Sequence, residues 1–171
     1  MSRRISRRAF LKLAGVSALE AVALSVGSLA YVRKVEPGWI DVAHVPLTLP
    51  RLAPEFNGYR IVQISDIHMD AWMTRDRLAH AVEMVNRQQA DLVAITGDFV
   101  TFTPQQFAGD LVAALGELTS RDATLAVLGN HDHWTSAAVV RRVISDSRII
   151  ELRNAVHTLR RGEAMLHIAG V

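Results

Sequence analysis

The sequence predicts an α/β domain, a parallel sheet with covering helices, preceded by a separate apolar helix. Three observations carry that prediction. Short β-branched runs alternate with stretches whose apolar residues recur at helical spacing, the order of a strand–helix–strand fold. The strands are almost continuously apolar, as strands buried on both faces are. Polar residues collect just past the carboxyl ends of three successive strands, where open α/β sheets place their sites.

The elements follow in chain order. Arg3, Arg4, Arg7, Arg8 and Lys12 place five positive charges and no acid in the first 12 residues. Leu13 to Val32 follows, 20 residues of which 14 are apolar and one, Glu20, is charged. A basic head before an apolar stretch is the layout of an export signal or a membrane anchor. As a helix the stretch spans ~30 Å, and Glu20 near its middle costs about 3 kcal/mol on insertion scales. Residues 1–34 are therefore a leader or anchor. Residues 35–58, with Pro37, Pro46, Pro50 and Pro54, read as an extended connection, with Trp39–Val42 a short edge-type strand.

From Tyr59 the pattern becomes regular, and residues 59–171 form the domain. Arg60 to Ile64 is the first strand, and Leu78, Ala81, Val82 and Val85 share a helical face behind an N-cap at Thr74. Leu92 to Ile95 is the second strand, followed by a helical stripe at Leu111, Ala114, Leu115 and Leu118. Leu125 to Leu128 is the third. A helix capped by Thr135 or Ser136 then turns Val139, Val140, Val143 and Ile144 inward. Ile149-Ile150, Ala155 to Leu159 and Met165 to Val171 are strands, the last two joined around Arg161-Gly162.

Composition excludes several functions. The 171 residues contain no cysteine, which rules out a disulfide scaffold, a Cys-ligated zinc and thiol chemistry. The formal charge is +2 and the pI about 9.5. Residues 13–171, however, hold 14 basic against 17 acidic residues, a net −3. The basicity belongs to the head, so a basic nucleic-acid surface is not expected. Trp39, Trp72 and Trp134 are too few for a stacking platform.

Three clusters carry chemistry: Asp66-Ile67-His68, Gly97-Asp98 and Gly129-Asn130-His131-Asp132. Chance supplies roughly 0.4 D-x-H and 0.6 G-D occurrences in such a chain, but only about 0.0006 of G-N-H-D. All three sit at strand ends. Asp66, His68, Asp98 and Asn130 are oxygen and nitrogen donors of the kind that bind Mn, Fe, Zn or Mg. Two carboxylates brought together there would repel unless a cation neutralised them. A pair of divalent ions ~3.5–4 Å apart can hold a phosphoryl oxygen and activate a water. His131 beside them can donate a proton to the leaving oxygen, and Asp132 is expected to orient that imidazole.

These residues resemble the calcineurin-like metallophosphoesterase family, whose pattern is D-x-H, then G-D, then G-N-H-(D/E); the resemblance covers roughly residues 36–171. It implies an αββα sandwich, of which this chain would be the N-terminal half, and a two-metal site. By that resemblance Asp66 and His68 hold the first ion, Asp98 bridges, Asn130 holds the second, and His131 is the catalytic acid. Ser6-Arg7-Arg8-Ala9-Phe10-Leu11-Lys12 resembles the twin-arginine export signal, S-R-R-x-F-L-K. Together the two look like the exported, membrane-associated branch of the family, similar to UDP-diacylglucosamine pyrophosphatases and envelope phosphodiesterases.

The expected activity is hydrolysis of a phosphate ester, diester or pyrophosphate, of a small molecule or an envelope lipid. The protein would be exported by the twin-arginine machinery to the periplasmic side, cleaved after Ala30 or held by residues 13–32. The family's later histidines, including G-H-x-H, have no match before Val171. The expectation is therefore a chain incomplete at its C-terminus, with one sheet face uncovered. The alternative is a non-catalytic, membrane-tethered metal- or phosphate-binding module. His44, His80 and His133 read as surface residues and the pairs Arg141-Arg142 and Arg160-Arg161 as solvated faces. Trp72 and Trp134 read as packing residues, with the border of a substrate cleft as their other reading.

Overall fold

The computed structural model describes residues 6–34 and 39–171, and Arg3, Arg4 and Pro37 lie outside the described residues. The chain divides into two units, Met1–Val45 and Pro46–Val171. The first contains α1 (Arg7–Lys34), whose first turn is tied by the Ser6 hydroxyl accepting the Ala9 N–H at 3.2 Å. Its 28 residues extend ~42 Å, more than the ~30 Å of a bilayer core. Leu13, Leu19 and Leu24 are all exposed. Among the described residues α1 is long and apolar enough to cross a membrane. Trp39–Val42 is not a strand, contrary to expectation. No described segment pairs with it, and an isolated strand leaves its N–H and C=O groups unbonded.

The second unit is built on four parallel strands in the order β1 (Ile61–Ile64), β2 (Leu92–Ile95), β3 (Ala123–Ala126) and β4 (Ile150–Glu151). The crossovers are α2 (Arg75–Arg87), α3 (Pro104–Leu115) and the pair α4 (Asn130–Thr135) and α5 (Ala137–Asp146). One core lies between helices and sheet. There Leu78, Val82, Leu111, Leu115, Val140 and Ile144 meet Val93, Ile95 and Ala126. These are the helical stripes of the sequence, and Thr74 and Ser136 occupy the N-cap positions of α2 and α5.

The ends of β1 and β4, and of the last two strands, Ala155–Arg161 and Ala164–Gly170, shift by one or two residues from the sequence reading, and two further differences bear on the site. The third strand begins and ends two residues early, because Ala123 and Thr124 pair with Leu92 and Val93 although they are less apolar than Val127 and Leu128. Val127 still donates to the Ile95 carbonyl at 3.0 Å, after which the backbone turns into Gly129. The polar tetrapeptide, read as a strand-end turn, instead starts the short helix α4, because Asp132 at its third position accepts the Gly129 N–H at 2.9 Å.

The opposite face of the sheet carries a second core. Phe56, Leu92, Ala123, Leu125, Leu152 and Leu159 close it under the antiparallel hairpin β5 (Ala155–Arg161) and β6 (Ala164–Gly170). The face expected to be uncovered is thus covered over β2 and β3, while Ile61 on β1 remains half exposed. Phe56, from the stretch read as an extended connection, is fully buried. Asp91, 3 % exposed, fastens the hairpin to the entry of β2. It accepts the Arg60 backbone N–H at 2.8 Å and the guanidinium of Arg161 at 3.0 Å. Arg161 also reaches Asp122 and lies over the Phe56 and Tyr59 rings. It is therefore no solvated residue, and neither is Arg141, 2.9 Å from Glu151. Strand alternation sends Arg160 outward and Arg161 inward. His44, His80, His133 and Arg142 are exposed, as expected.

Candidate metal centre

The site is built where the chain leaves β1, β2 and β3. Backbone bonds continue past the strand ends and hold the turns in register. Asp66 N–H reaches the Gly97 carbonyl at 3.1 Å, His68 N–H the Asp98 carbonyl at 2.8 Å, and Met69 N–H the Phe99 carbonyl at 2.9 Å. Asp66, His68 and Asp98 all adopt left-handed backbone, with φ of 54°, 47° and 57°. That conformation is uncommon for residues with a Cβ and concentrates at functional sites. Here it accompanies the turns that bring the three side chains together beyond the carboxyl ends of the strands.

Gly97, at φ +98°, and Gly129 are needed for the close approach of the second and third turns. A Cβ on Gly97 would overlap the Gly129 backbone, and one on Gly129 would overlap the Asp98 carboxylate. Within this packing Asp98 Oδ1 accepts the His131 backbone N–H at 2.9 Å, leaving Oδ2 turned to the site.

His68 Nε2 lies 3.6 Å from Asp66 Oδ1 and 3.7 Å from Asp98 Oδ2. His68, Asp98 and His131 each offer one donor atom, and the three lie within 4.8 Å of one another. The separations from His68 to the two carboxylates are too long for hydrogen bonds and near the ~3.4 Å between ligands of one tetrahedral ion. The donor chemistry fits a divalent cation, and this His/Asp/His cluster is capable of holding one. Asp66 is largely exposed, and Asn130 is exposed at the first position of α4.

The imidazole of His131 is positioned differently from the expectation. Its Nδ1 is 3.1 Å from the Thr101 carbonyl, which can only accept, so Nδ1 carries the hydrogen and Nε2 is left for the site. Asp132 does not touch that ring. Its fully buried carboxylate instead accepts the backbone N–H groups of Asp98, Phe99 and Gly129, each at 2.9 Å. Asp132 has this role because its place on α4 turns its side chain under the second turn. Burial pushes its pKa up, aided by the Asp98 charge, while the three N–H groups pull it down less strongly.

Sequence reasoning did not single out Thr101 or Phe102, which lie on the loop after Gly97-Asp98. Nothing in composition marks them, although both follow a motif closely enough to have been suspected. Phe102 lies 6.5 Å and Trp134 5.1 Å from the His131 ring, and both are three-quarters exposed. Trp72 is half exposed beneath the Arg77 guanidinium. The two tryptophans are therefore not core residues: Trp72 packs on Arg77 and Trp134 on His131, each with much of its ring exposed.

Residues 59–160 match the model of the calcineurin-like phosphoesterases. The chain belongs to this family. It is 30 % identical over 163 residues to the uncharacterized metallophosphoesterase YkuE of Bacillus subtilis, covering 92 % of this chain and 56 % of that protein. It is 34 % identical over 126 residues to the bovine transmembrane protein with metallophosphoesterase domain, covering 73 % and 28 %. To the UDP-2,3-diacylglucosamine pyrophosphatase LpxG of Chlamydia muridarum it is 29 % identical over 120 residues, covering 70 % and 36 %. As a calcineurin-like phosphoesterase the chain thus spans about half the length of YkuE, and the metal cluster falls wholly inside the matched residues.

Proposed function

We propose that this protein is a metal-dependent phosphoesterase with a two-metal site, acting outside the cytoplasm. Carrying the proposal is one observation: three strand-end turns bring His68, Asp98 and His131 within 4.8 Å of one another, with Asp66 3.6 Å from His68. In this reading Asp66, His68 and Asp98 hold a first divalent ion, and Asp98 with Asn130 holds a second. When bound, the ions would supply Lewis-acid stabilisation of the phosphoryl oxygens and a water acidified for attack. His131, fixed through its Nδ1–H by Thr101, presents Nε2 to the site; in the doubly protonated ring the Nε2 proton would pass to the leaving oxygen and leave the neutral Nδ1–H imidazole. Asp132 is a positioning residue that holds the Asp98 and Gly129 turns.

The substrate class is a phosphate ester, diester or pyrophosphate. The transmembrane label of one relative and the lipid substrate named for LpxG favour an envelope or lipid compound. The domain division in this reading is 1–34 leader or anchor, 35–58 connection, whose Phe56 packs into the second core, and 59–171 phosphoesterase. The S-R-R-x-F-L-K head and α1 support export by the twin-arginine machinery. Arg7→Lys together with Arg8→Lys should abolish export of a reporter fused to residues 1–45; undiminished export would remove that part of the reading.

The test of the chemistry is Mn binding by calorimetry and hydrolysis of an aryl phosphodiester by the full-length protein. Asp98→Ala should lose more than tenfold in metal affinity and hydrolyse nothing measurable. Asn130→Ala should weaken binding, and His131→Ala should lower kcat more than metal content. An unchanged rate in Asp98→Ala overturns the proposal. Because the described cluster is capable of one ion, a non-catalytic metal-binding module is the second reading. Metal binding without hydrolysis would favour it.

A further inference from the structure

The imidazole of His131 has three ring neighbours among the described residues. One is His68, edge-on at 4.7 Å, inside the metal cluster. Phe102 and Trp134 are the others, at 6.5 Å and 5.1 Å. They come from separate segments, the loop before α3 and the end of α4, yet both are anchored to His131. Thr101, the neighbour of Phe102, gives its carbonyl to His131 Nδ1, and the Thr135 hydroxyl beside Trp134 bonds the His131 carbonyl at 2.8 Å. The chain on either side of the histidine is thus tied to it, through Thr101 next to Phe102 and through Thr135 next to Trp134.

Both rings are also three-quarters exposed, Phe102 at 74 % and Trp134 at 75 %. A single exposed aromatic is unremarkable, but two beside the same site histidine form an apolar surface that the described residues leave largely open. Covering such rings with an apolar group removes water from both, and an aromatic group gains further from edge-to-face geometry.

We propose that Phe102 and Trp134 form an aromatic clasp that selects phosphoesters whose leaving group is apolar. This rests on the phosphoesterase reading, because the leaving oxygen is the atom His131 would protonate. A leaving group attached there would lie beside the His131 ring, which has Phe102 and Trp134 as its neighbours. The clasp acts on specificity and is not needed to hold a metal.

The experiment measures calorimetric dissociation constants of three phosphonates for the full chain with Mn: methyl-, phenyl- and hexylphosphonate. The phenyl compound should bind roughly fivefold to tenfold more tightly than the methyl one. Matching affinity of the hexyl compound would mean a general apolar clasp, and a phenyl-only advantage would mean ring stacking; either supports the inference. Phe102→Ala with Trp134→Ala should bring the ratio close to one, and Phe102→Leu with Trp134→Leu should restore the hexyl preference. Equal affinities in the unaltered protein, or a ratio that survives the double alanine variant, would overturn the clasp and leave the phosphoesterase reading intact. Failure of all three phosphonates to bind would overturn both. Self-association abolished by the double alanine variant, with equal phosphonate affinities, would assign the rings to an interface between copies and overturn the clasp.

Discussion

Three backbone N–H groups, from Asp98, Phe99 and Gly129, end on the single carboxylate of Asp132. The second and third turns of the site are thus joined below the metal cluster by one buried side chain. Removing it leaves three buried donors with no acceptor, at about 1–3 kcal/mol each. Asp132→Ala should therefore destabilise the domain by about 3 kcal/mol or more in urea unfolding and lower metal affinity as well. Asp132→Asn, which keeps one acceptor oxygen, should cost less. Asp98, one of the three site residues with left-handed backbone, donates its N–H to this carboxylate. Motif spacing marked these residues as chemical, but no sequence pattern showed that Asp132 would serve the backbone instead of the imidazole. That choice depends on where α4 starts, at Gly129, whose N–H donates to the Asp132 carboxylate and whose carbonyl accepts the His133 N–H.

At the level of elements, Asp91 couples β2 to the hairpin. Burial raises its pKa, but the Arg60 N–H and the hydrogen bond and charge of Arg161, with the charge of Arg121, outweigh it and hold the group below the ordinary carboxylate value. A depressed folded-state pKa gives stability that is present above the unfolded value, about 3.9, and lost as pH falls through the folded one. Stability measured by urea unfolding should therefore fall below about pH 4, and Asp91→Asn should reduce that acid dependence. The periodicities that located α2, α3 and α5 were readable because burial on one face repeats every 3.6 residues. Short strands were harder. Ala123 and Thr124 pair with β2 by position in the sheet, a constraint that composition does not contain.

The whole molecule consists of two units, and the contacts that define the α/β unit lie within Pro46–Val171. Both of its cores are assembled from Leu52 and residues after it. A protein lacking residues 1–45 should therefore keep its cooperative unfolding, with a melting temperature within a few degrees of the full chain by circular dichroism. A broad, non-cooperative melt would show that the first unit contributes to the fold. The chain spans about half the length of YkuE, so the activity, substrate and partners of the whole protein rest on the proposal above.

From residue order alone came the α/β class, the helical stripes, the long apolar helix and the three polar clusters at strand ends, because each repeats or stands within a few residues of itself. Family membership was legible in the same way, from G-N-H-D and its two partners. Tertiary contact decided the rest: that His131 joins His68 and Asp98, that Asp132 bonds backbone, that Arg161 is paired, and that Phe102 and Trp134 stand open beside the site. Those outcomes depend on atoms some 30 to 70 residues apart meeting at sheet ends, and a local pattern carries no record of such distances.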